Sequence, residues 1–269
     1  MAAETGSNQS VERALGVLRS LAGGPPELRV SDVAKATGLG VSTTSRLLAT
    51  LESAGLVDRD PITGLYRLGL DVVSLSTAVL NNHPVHREAR QLSQNLAAEL
   101  GLGVNVAVRR GDRLFYLLNF EGRYAPRSSV LTGQAKPLHA TGLGKCLLSG
   151  LTAEERRRLL PAADLVPYTA RTLTTHELLD AAIEGIAAQG HAAEIEELAL
   201  GRACVAAPIR DATGAVVAAL SVSGPLSAID LPARRPELGR RVIEAVDSIS
   251  IGLGFTGPMH LPHQYSQAR

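Results

Sequence analysis

Residues 31–55 read SDVAKATGLGVSTTSRLLATLESAG, and this stretch decides the fold of the N-terminal part of the chain. Ser31 is placed to cap a short helix carrying Val33 and Ala34, which stops at Gly38, and a longer helix begins near Val41 and runs to Gly55. Two helices joined by a short glycine-containing turn make a helix-turn-helix. Steps of about 100° per residue put Thr44, Leu47, Leu48 and Leu51 on one side of the longer helix, the core side. Ser42, Arg46, Ala49 and Ser53 project the other way, with Thr43, Ser45 and Thr50 on the flanks. A solvated helix surface normally carries more Glu and Lys. This short, hydroxyl-bearing face with one long cation suits a DNA groove, where small side chains allow close approach and Arg reaches phosphate or a guanine edge.

Upstream, Val11, Ala14, Leu15, Leu18 and Leu21 recur at helical spacing, with Ser10 as N-cap and Gly23-Gly24-Pro25-Pro26 ending the pattern. Downstream, Leu56-Val57-Asp58-Arg59 and Leu65-Tyr66-Arg67-Leu68 flank the turn Asp60-Pro61-Ile62-Thr63-Gly64, which predicts a hairpin, or wing. Residues 10–69 therefore read as a winged helix-turn-helix that binds DNA through Ser42, Thr43, Ser45, Arg46, Ala49, Thr50 and Arg67; the plainer reading is a winged-helix protein-interaction module. Residues 1–69 hold seven Lys+Arg and seven Asp+Glu, so this segment has no net charge. Phosphate contacts must come from a few placed arginines, hydroxyls and helix N-termini, and weak binding by one copy favours a dimer on two half-sites.

The whole chain has 269 residues, 45% hydrophobic and 20% charged, with net charge +1, which permits one large or two ordinary globular domains and excludes a disordered polymer. No long uncharged apolar run is present and Met1 to Ser10 lacks the apolar stretch of a secretory signal, so a cytoplasmic location with no membrane partner is expected. Two cysteines, Cys146 and Cys204, are too few for a disulfide framework and read first as small core hydrophobes.

Beyond the wing, a linker helix is expected over 70–80, broken by Asn81-Asn82-His83-Pro84, with another helix from Val85 to Leu100. Val104 to Val108 and Leu114 to Asn119 flank Arg110-Gly111-Asp112, a hairpin signal. Short helices follow at Thr141 to Leu148, after the capping box of Thr152 and Glu155, and at Leu178 to Ala188. Cys204 to Ile209 and Val216 to Ser223 read as buried strands around Asp211-Ala212-Thr213-Gly214, and a helix from Pro236 to Leu253 closes the domain. Hairpins mixed with helices indicate an α+β class with an antiparallel sheet. The expected organisation is a flexible N-terminus over 1–9, the winged helix over 10–69, a linker helix over 70–83, a second domain over 84–254 and a flexible tail over 255–269.

Several motifs carry no chemistry. Gly142-Leu143-Gly144-Lys145-Cys146 has His139 where a phosphate loop needs its first glycine and Cys where it needs Ser or Thr. Gly252 to Gly257 has the letters of a dinucleotide fingerprint, with too little chain after it for a βαβ unit. The pairs His83/His86 and His260/His263 fall short of the three or four convergent ligands a metal needs. No Gly-x-Ser-x-Gly elbow occurs, and Cys204 reads as a pocket wall before it reads as a nucleophile. No catalytic residue, metal or cofactor is expected.

Ser10-Val11-Glu12-Arg13-Ala14-Leu15, Ser42 to Leu48 and Tyr66-Arg67-Leu68-Gly69 resemble the IclR family of bacterial transcription regulators. So do Pro137 to Lys145, the spacing of Glu197, Gly201, Cys204, Ala206, Pro208 and Ile209, and Ser221-Val222-Ser223-Gly224-Pro225. The resemblance implies a winged helix that dimerises on DNA and a GAF-like effector domain that senses a small molecule, often a carboxylate, in a homodimer or dimer of dimers. By the same likeness, Thr141, Gly142, Leu143, Glu194, Cys204, Ser221 and Ser223 would line the pocket, with Glu194 standing where relatives often have Asp. The amides of the Thr141-Gly142 turn are expected to hold a carboxylate. The function expected is therefore a ligand-responsive transcription regulator, a repressor as most relatives are; the alternative is a metabolic enzyme or sensor that uses its winged helix only for assembly.

Overall fold

The computed structural model describes residues 8–125 and 132–258. The expectations of a loose N-terminus and tail fall largely on residues 1–7 and 259–269, outside the described residues, as do His260 and His263. The chain divides into two compact units at Asn81/Asn82.

In the first unit, α1 (Gln9–Ala22), α2 (Val30–Thr37) and α3 (Val41–Ser53) are followed by β1 (Val57–Arg59), β2 (Tyr66–Leu68) and α4 (Asp71–Asn82). Strands β1 and β2 form the wing, with Asp58 opposite Arg67, and Leu28 pairs with Tyr66 beside them. The inward residues of all these pieces meet in one cluster of Val17, Leu21, Val33, Leu48, Leu51, Val57 and Tyr66. Gly38 ends α2 at φ 68° and returns its N–H to Ala34 and Lys35, a left-handed turn that a side chain with a Cβ would strain.

Two caps differ from their sequence assignment. Helix α1 starts one residue before Ser10, because Asn8 Oδ1 takes the N–H of Ser10 at 3.1 Å. Helix α2 starts at Val30, with the Arg29 N–H donating to Asp32 Oδ2 at 3.2 Å, so Ser31 lies inside the first turn. In both places another polar side chain reaches the free amides first.

The second unit contains α5 (Pro84–Leu100), β3 (Gly103–Arg110), β4 (Arg113–Phe120), β5 (Ala135–Pro137), α6 (Gly142–Leu148) and α7 (Ala153–Leu159). It continues with α8 (His176–Gln189), β6 (Ala192–Ile195), β7 (Arg202–Arg210), β8 (Val216–Pro225), α9 (Leu226–Ile229) and α10 (Leu231–Gly252). The strands form one antiparallel sheet in the order β5-β4-β3-β8-β7-β6. Every residue of β7 from Ala203 to Ile209 is buried, so both sheet faces are covered. Helix α6 lies over the face that carries Cys204 and Ala206, while α5 and α10 pack on each other and on the sheet.

Strands β5 and β6 have no counterpart in the sequence reading. Ala135-Lys136-Pro137 and Ala192-Ala193-Glu194-Ile195 lack a β-branched run, and pairing with β4 and β7 makes them edge strands. Helix α10 begins at Leu231 and includes Pro236, which sequence reasoning had taken as its first residue; Pro232 occupies the first turn instead, where a missing N–H costs nothing.

Candidate functional site

Two surfaces gather the candidate residues, one in each unit. On α3, Ser42, Ser45, Arg46, Ala49 and Thr50 are exposed and Thr43 is half-buried. Thr44 turns inward, its hydroxyl donating to the Gly40 carbonyl at 3.1 Å. Thr50 Oγ1 donates to the Arg46 carbonyl at 3.0 Å and Ser53 Oγ to the Thr50 carbonyl at 2.8 Å. These hydroxyls stay close to the helix and leave their lone pairs outward, so Arg46 is the one long side chain on the face. Arg67 is placed differently: on β2 its Nη1 lies 3.1 Å from Glu27 Oε1, in the chain before α2, and its Nε 3.8 Å from Asp58 Oδ2 of the wing, so two acids hold it. Sequence reasoning passed over Arg59, which is exposed on β1 with its guanidinium 5.4 Å from the Tyr66 ring centroid.

In the second unit, sheet register builds a floor from two neighbouring rows. Glu194, Cys204, Ser223 and Gly103 stand opposite one another on β6, β7, β8 and β3, and Ala192, Ala206, Ser221, Asn105 and Asn119 form the next row. Paired residues share a face, so the polar members of both rows point the same way. Asn105 Nδ2 donates to Ser223 Oγ at 3.1 Å, and Asn119 Nδ2 donates to Asn105 Oδ1 at 2.7 Å. A cavity of about 390 Å³ opens over this floor, and Thr141, Gly142, Leu143, Glu194, Cys204, Ser221 and Ser223 all border it.

The loop before α6 forms part of the wall. A Cβ on Gly142 would lie 2.8 Å from Cys204 Sγ, so only glycine lets the helix start this close to the sheet. Thr141 caps α6, its Oγ1 accepting the Gly144 N–H at 3.0 Å and donating to the Pro137 carbonyl at 3.1 Å. The Thr141 hydroxyl thus takes one of the amides that open α6, that of Gly144, and leaves one fewer of them for a carboxylate. Lys145 is likewise unavailable to a phosphate, since its Nζ lies 2.5 Å from Glu197 Oε1 and both side chains are buried.

Burial sets the electrostatics of the wall. Glu194 accepts the Glu197 N–H at 2.6 Å on Oε1 and faces the Cys204 thiol at 3.5 Å on Oε2. Burial, helped by the charge of Glu197, still raises its pKa, against the opposing pull of that N–H and of Lys145. Burial and then the neighbouring Glu194 charge push the Cys204 thiol well above its ordinary value. Cys146, fully buried in α6, is pushed up to about 12 by burial. Both cysteines are free thiols without nucleophilic character.

Because Glu194 binds its proton more tightly folded than unfolded, its contribution to stability is present below the ordinary glutamate value. It is lost as pH rises through the raised value. Glu194→Gln should therefore gain stability relative to the parent chain as pH is raised, and denaturant unfolding across the acidic to neutral range measures it. A difference that shrinks with rising pH would contradict this.

The remaining lining includes Asn105, Tyr116, Tyr168, Arg202, Lys136 and Arg113, none of which sequence reasoning singled out. Asn105 had a signal, as the one polar side chain in the run Val104 to Val108, and so had Arg202, two residues before Cys204 on the same face. Tyr168 had none, because it lies in irregular chain tied to the Glu196-Glu197 segment by Thr169 and Thr172. Among the described residues, no group of His, Cys, Asp and Glu could hold a metal ion, and no helix is long and apolar enough to cross a membrane.

Comparison with known proteins places both units. Residues 10–61 match the model described as the IclR helix-turn-helix domain, and residues 77–251 the model described as bacterial transcriptional regulator IclR C-terminal. The chain is 34% identical over 251 residues to the HTH-type transcriptional repressor AllR of Salmonella paratyphi A, covering 93% of this chain and 92% of that one. It is 33% identical over 222 residues to the HTH-type transcriptional regulator XynR of Escherichia coli, covering 82% and 88%. The crystal structure of the Thermotoga maritima IclR superposes with a TM-score of 0.75 at 26% identity, over 91% of this chain and 99% of that one.

Proposed function

Since the chain belongs to the IclR family of bacterial transcription regulators, DNA-binding proteins and not enzymes, we propose that it is a repressor whose operator binding is set by a small organic acid. In this reading Ser42, Thr43, Ser45, Arg46, Ala49 and Thr50 enter the major groove on α3, and Arg67 and the wing lie along the backbone. Thr141, Gly142, Leu143, Glu194, Cys204, Ser221 and Ser223 hold the effector. The convergence of these seven on one cavity carries the effector reading, and about 390 Å³ lies at the small end of ligand pockets, the size range of a metabolite. Ligand-dependent control requires only that the effector bind one of two arrangements better. A coupling of about 1–3 kcal/mol changes operator affinity roughly 5–150-fold.

The working unit in this reading is a homodimer or a dimer of dimers. Helix α4 has no buried residue, and Leu70, Val73, Leu75 and Val79 on and beside it are exposed, an apolar face that a second copy would cover. A regulator of this kind acts where its operator is, in the cytoplasm.

A thermal-shift screen of small carboxylates tests the effector site, because a ligand that binds the native state raises the melting temperature. Ser221→Ala removes one floor hydroxyl and should weaken a binding acid by about 1 kcal/mol, roughly fivefold. Unchanged affinity in both Ser221→Ala and Glu194→Gln would move the effector elsewhere.

A further inference from the structure

Arg113, Lys136 and Arg202 all border the cavity, and none makes an ion pair among the described residues. Some other arginines of the same unit are matched, Arg156 and Arg157 by Asp180, Arg171 by Glu196 and Arg234 by Glu237, while unpaired ones such as Arg109 and Arg110 are exposed to water. The one acid on the lining, Glu194, already has both oxygens engaged, and its burial favours the neutral form. Lys136 and Arg202 are each partly buried, so they have given up water without gaining a counter-charge, a cost that an anionic ligand would offset.

The cations stand on different strands. Arg202 opens β7, two residues before Cys204, and its charge is felt at the Tyr116 hydroxyl. Lys136 pairs with Leu114, which shares the cavity face with Tyr116, on the edge strand β5; Arg113 pairs with Pro137, one residue along, and so stands on the rim of the other face. Strands β8, β3 and β4 lie between β7 and β5, and neighbouring strands are about 4.8 Å apart, so on the order of 19 Å of sheet separates Arg202 from Lys136 before any curl. Between them the lining is uncharged: Tyr116, Leu143, Cys204 and the two serines. With the Gly144 amide taken by Thr141, the charged groups that this lining offers an anion are these side chains.

We propose that the effector is a dicarboxylate, with one carboxylate on Arg202, the other on Lys136, and its carbon chain lying across Tyr116 and Leu143. This rests on the cavity being the effector site. A ligand with a single carboxylate would leave one cationic group unmatched, and Arg offers the two-pronged geometry that a carboxylate fits.

Calorimetric titration of the full chain with succinate, glutarate and adipate, each beside its monoamide and beside benzoate, tests the proposal. At least one diacid should bind about tenfold or more tightly than its monoamide, the fold-change of one charge-assisted hydrogen bond. Arg202→Gln and Lys136→Gln should each abolish that preference, with the monoamide bound as before. Equal binding of diacid and monoamide, a preference that survives Arg202→Gln, or no diacid binding overturns it. If benzoate alone binds and Ser221→Ala or Glu194→Gln weakens it, the dicarboxylate falls and the effector cavity stands; if benzoate binds unchanged in both variants, both fall.

Discussion

Replacing Glu197 by alanine should remove about 3–5 kcal/mol from the stability of the second unit, the usual cost of leaving one member of a buried ion pair without its partner. The Lys145 side chain is 3% exposed and that of Glu197 10% exposed, with 2.5 Å between Nζ and Oε1, so the ammonium would be left in the interior of α6 without a counter-charge. The consequence extends to the cavity. The Glu197 N–H fixes Glu194, and its carbonyl accepts the Thr172 hydroxyl at 2.6 Å, which ties down the segment bearing Tyr168. Those backbone contacts survive the substitution, so the loss should come from the charge. Glu197 Oε2 is buried with no partner among the described residues, so the pair is imperfectly satisfied. Combining Glu197→Leu with Lys145→Met should recover most of the loss, and urea unfolding of the three proteins compares them. A cost below about 1 kcal/mol for Glu197→Ala would mean the pair behaves as a surface bridge.

Leu48→Ala should destabilise the winged helix by about 2–5 kcal/mol, the range for truncating a fully buried leucine. Leu48 has no solvent exposure and packs among Val17, Leu21, Val33, Leu51, Val57 and Tyr66, the cluster that joins α1, α2 and α3 to the wing. A domain this small holds few kilocalories in reserve. The variant should lose DNA binding and show an early unfolding transition, while the second unit melts as before and still binds its acid. Ala49→Ser, one residue along and exposed, should change stability by less than about 0.5 kcal/mol. A single unshifted transition for Leu48→Ala would show that this cluster does not hold the head together.

The helix-turn-helix was legible because its two signals are local. Leucines at helical spacing point to Leu48 and Leu51, and the glycine that ends α2 occupies a left-handed position. Cap identity was less legible, since several polar side chains near each start compete for the same amides, and Asn8 and Asp32 reach them before Ser10 and Ser31. Strands β5 and β6 escaped notice because only their partners make them strands. The seven residues drawn from family resemblance lie around one cavity, and of the amides that open α6 one, that of Gly144, is turned to Thr141. Lys136 and Arg202 could not be joined from spacing, as only the order of strands in the sheet sets them at two sides of one cavity.

The central claim, that α3 reads duplex DNA, is tested most directly by fluorescence anisotropy on labelled duplexes from the gene's own upstream region and on shuffled duplexes of equal length, at one fixed salt concentration. The chain should bind one genomic fragment at least about 10³-fold more tightly than shuffled duplex. Arg46→Ala, which leaves the core untouched, should cut that preference by about 1–3 kcal/mol, roughly 5–150-fold. Equal affinity for every duplex, unchanged in Arg46→Ala, would contradict the account.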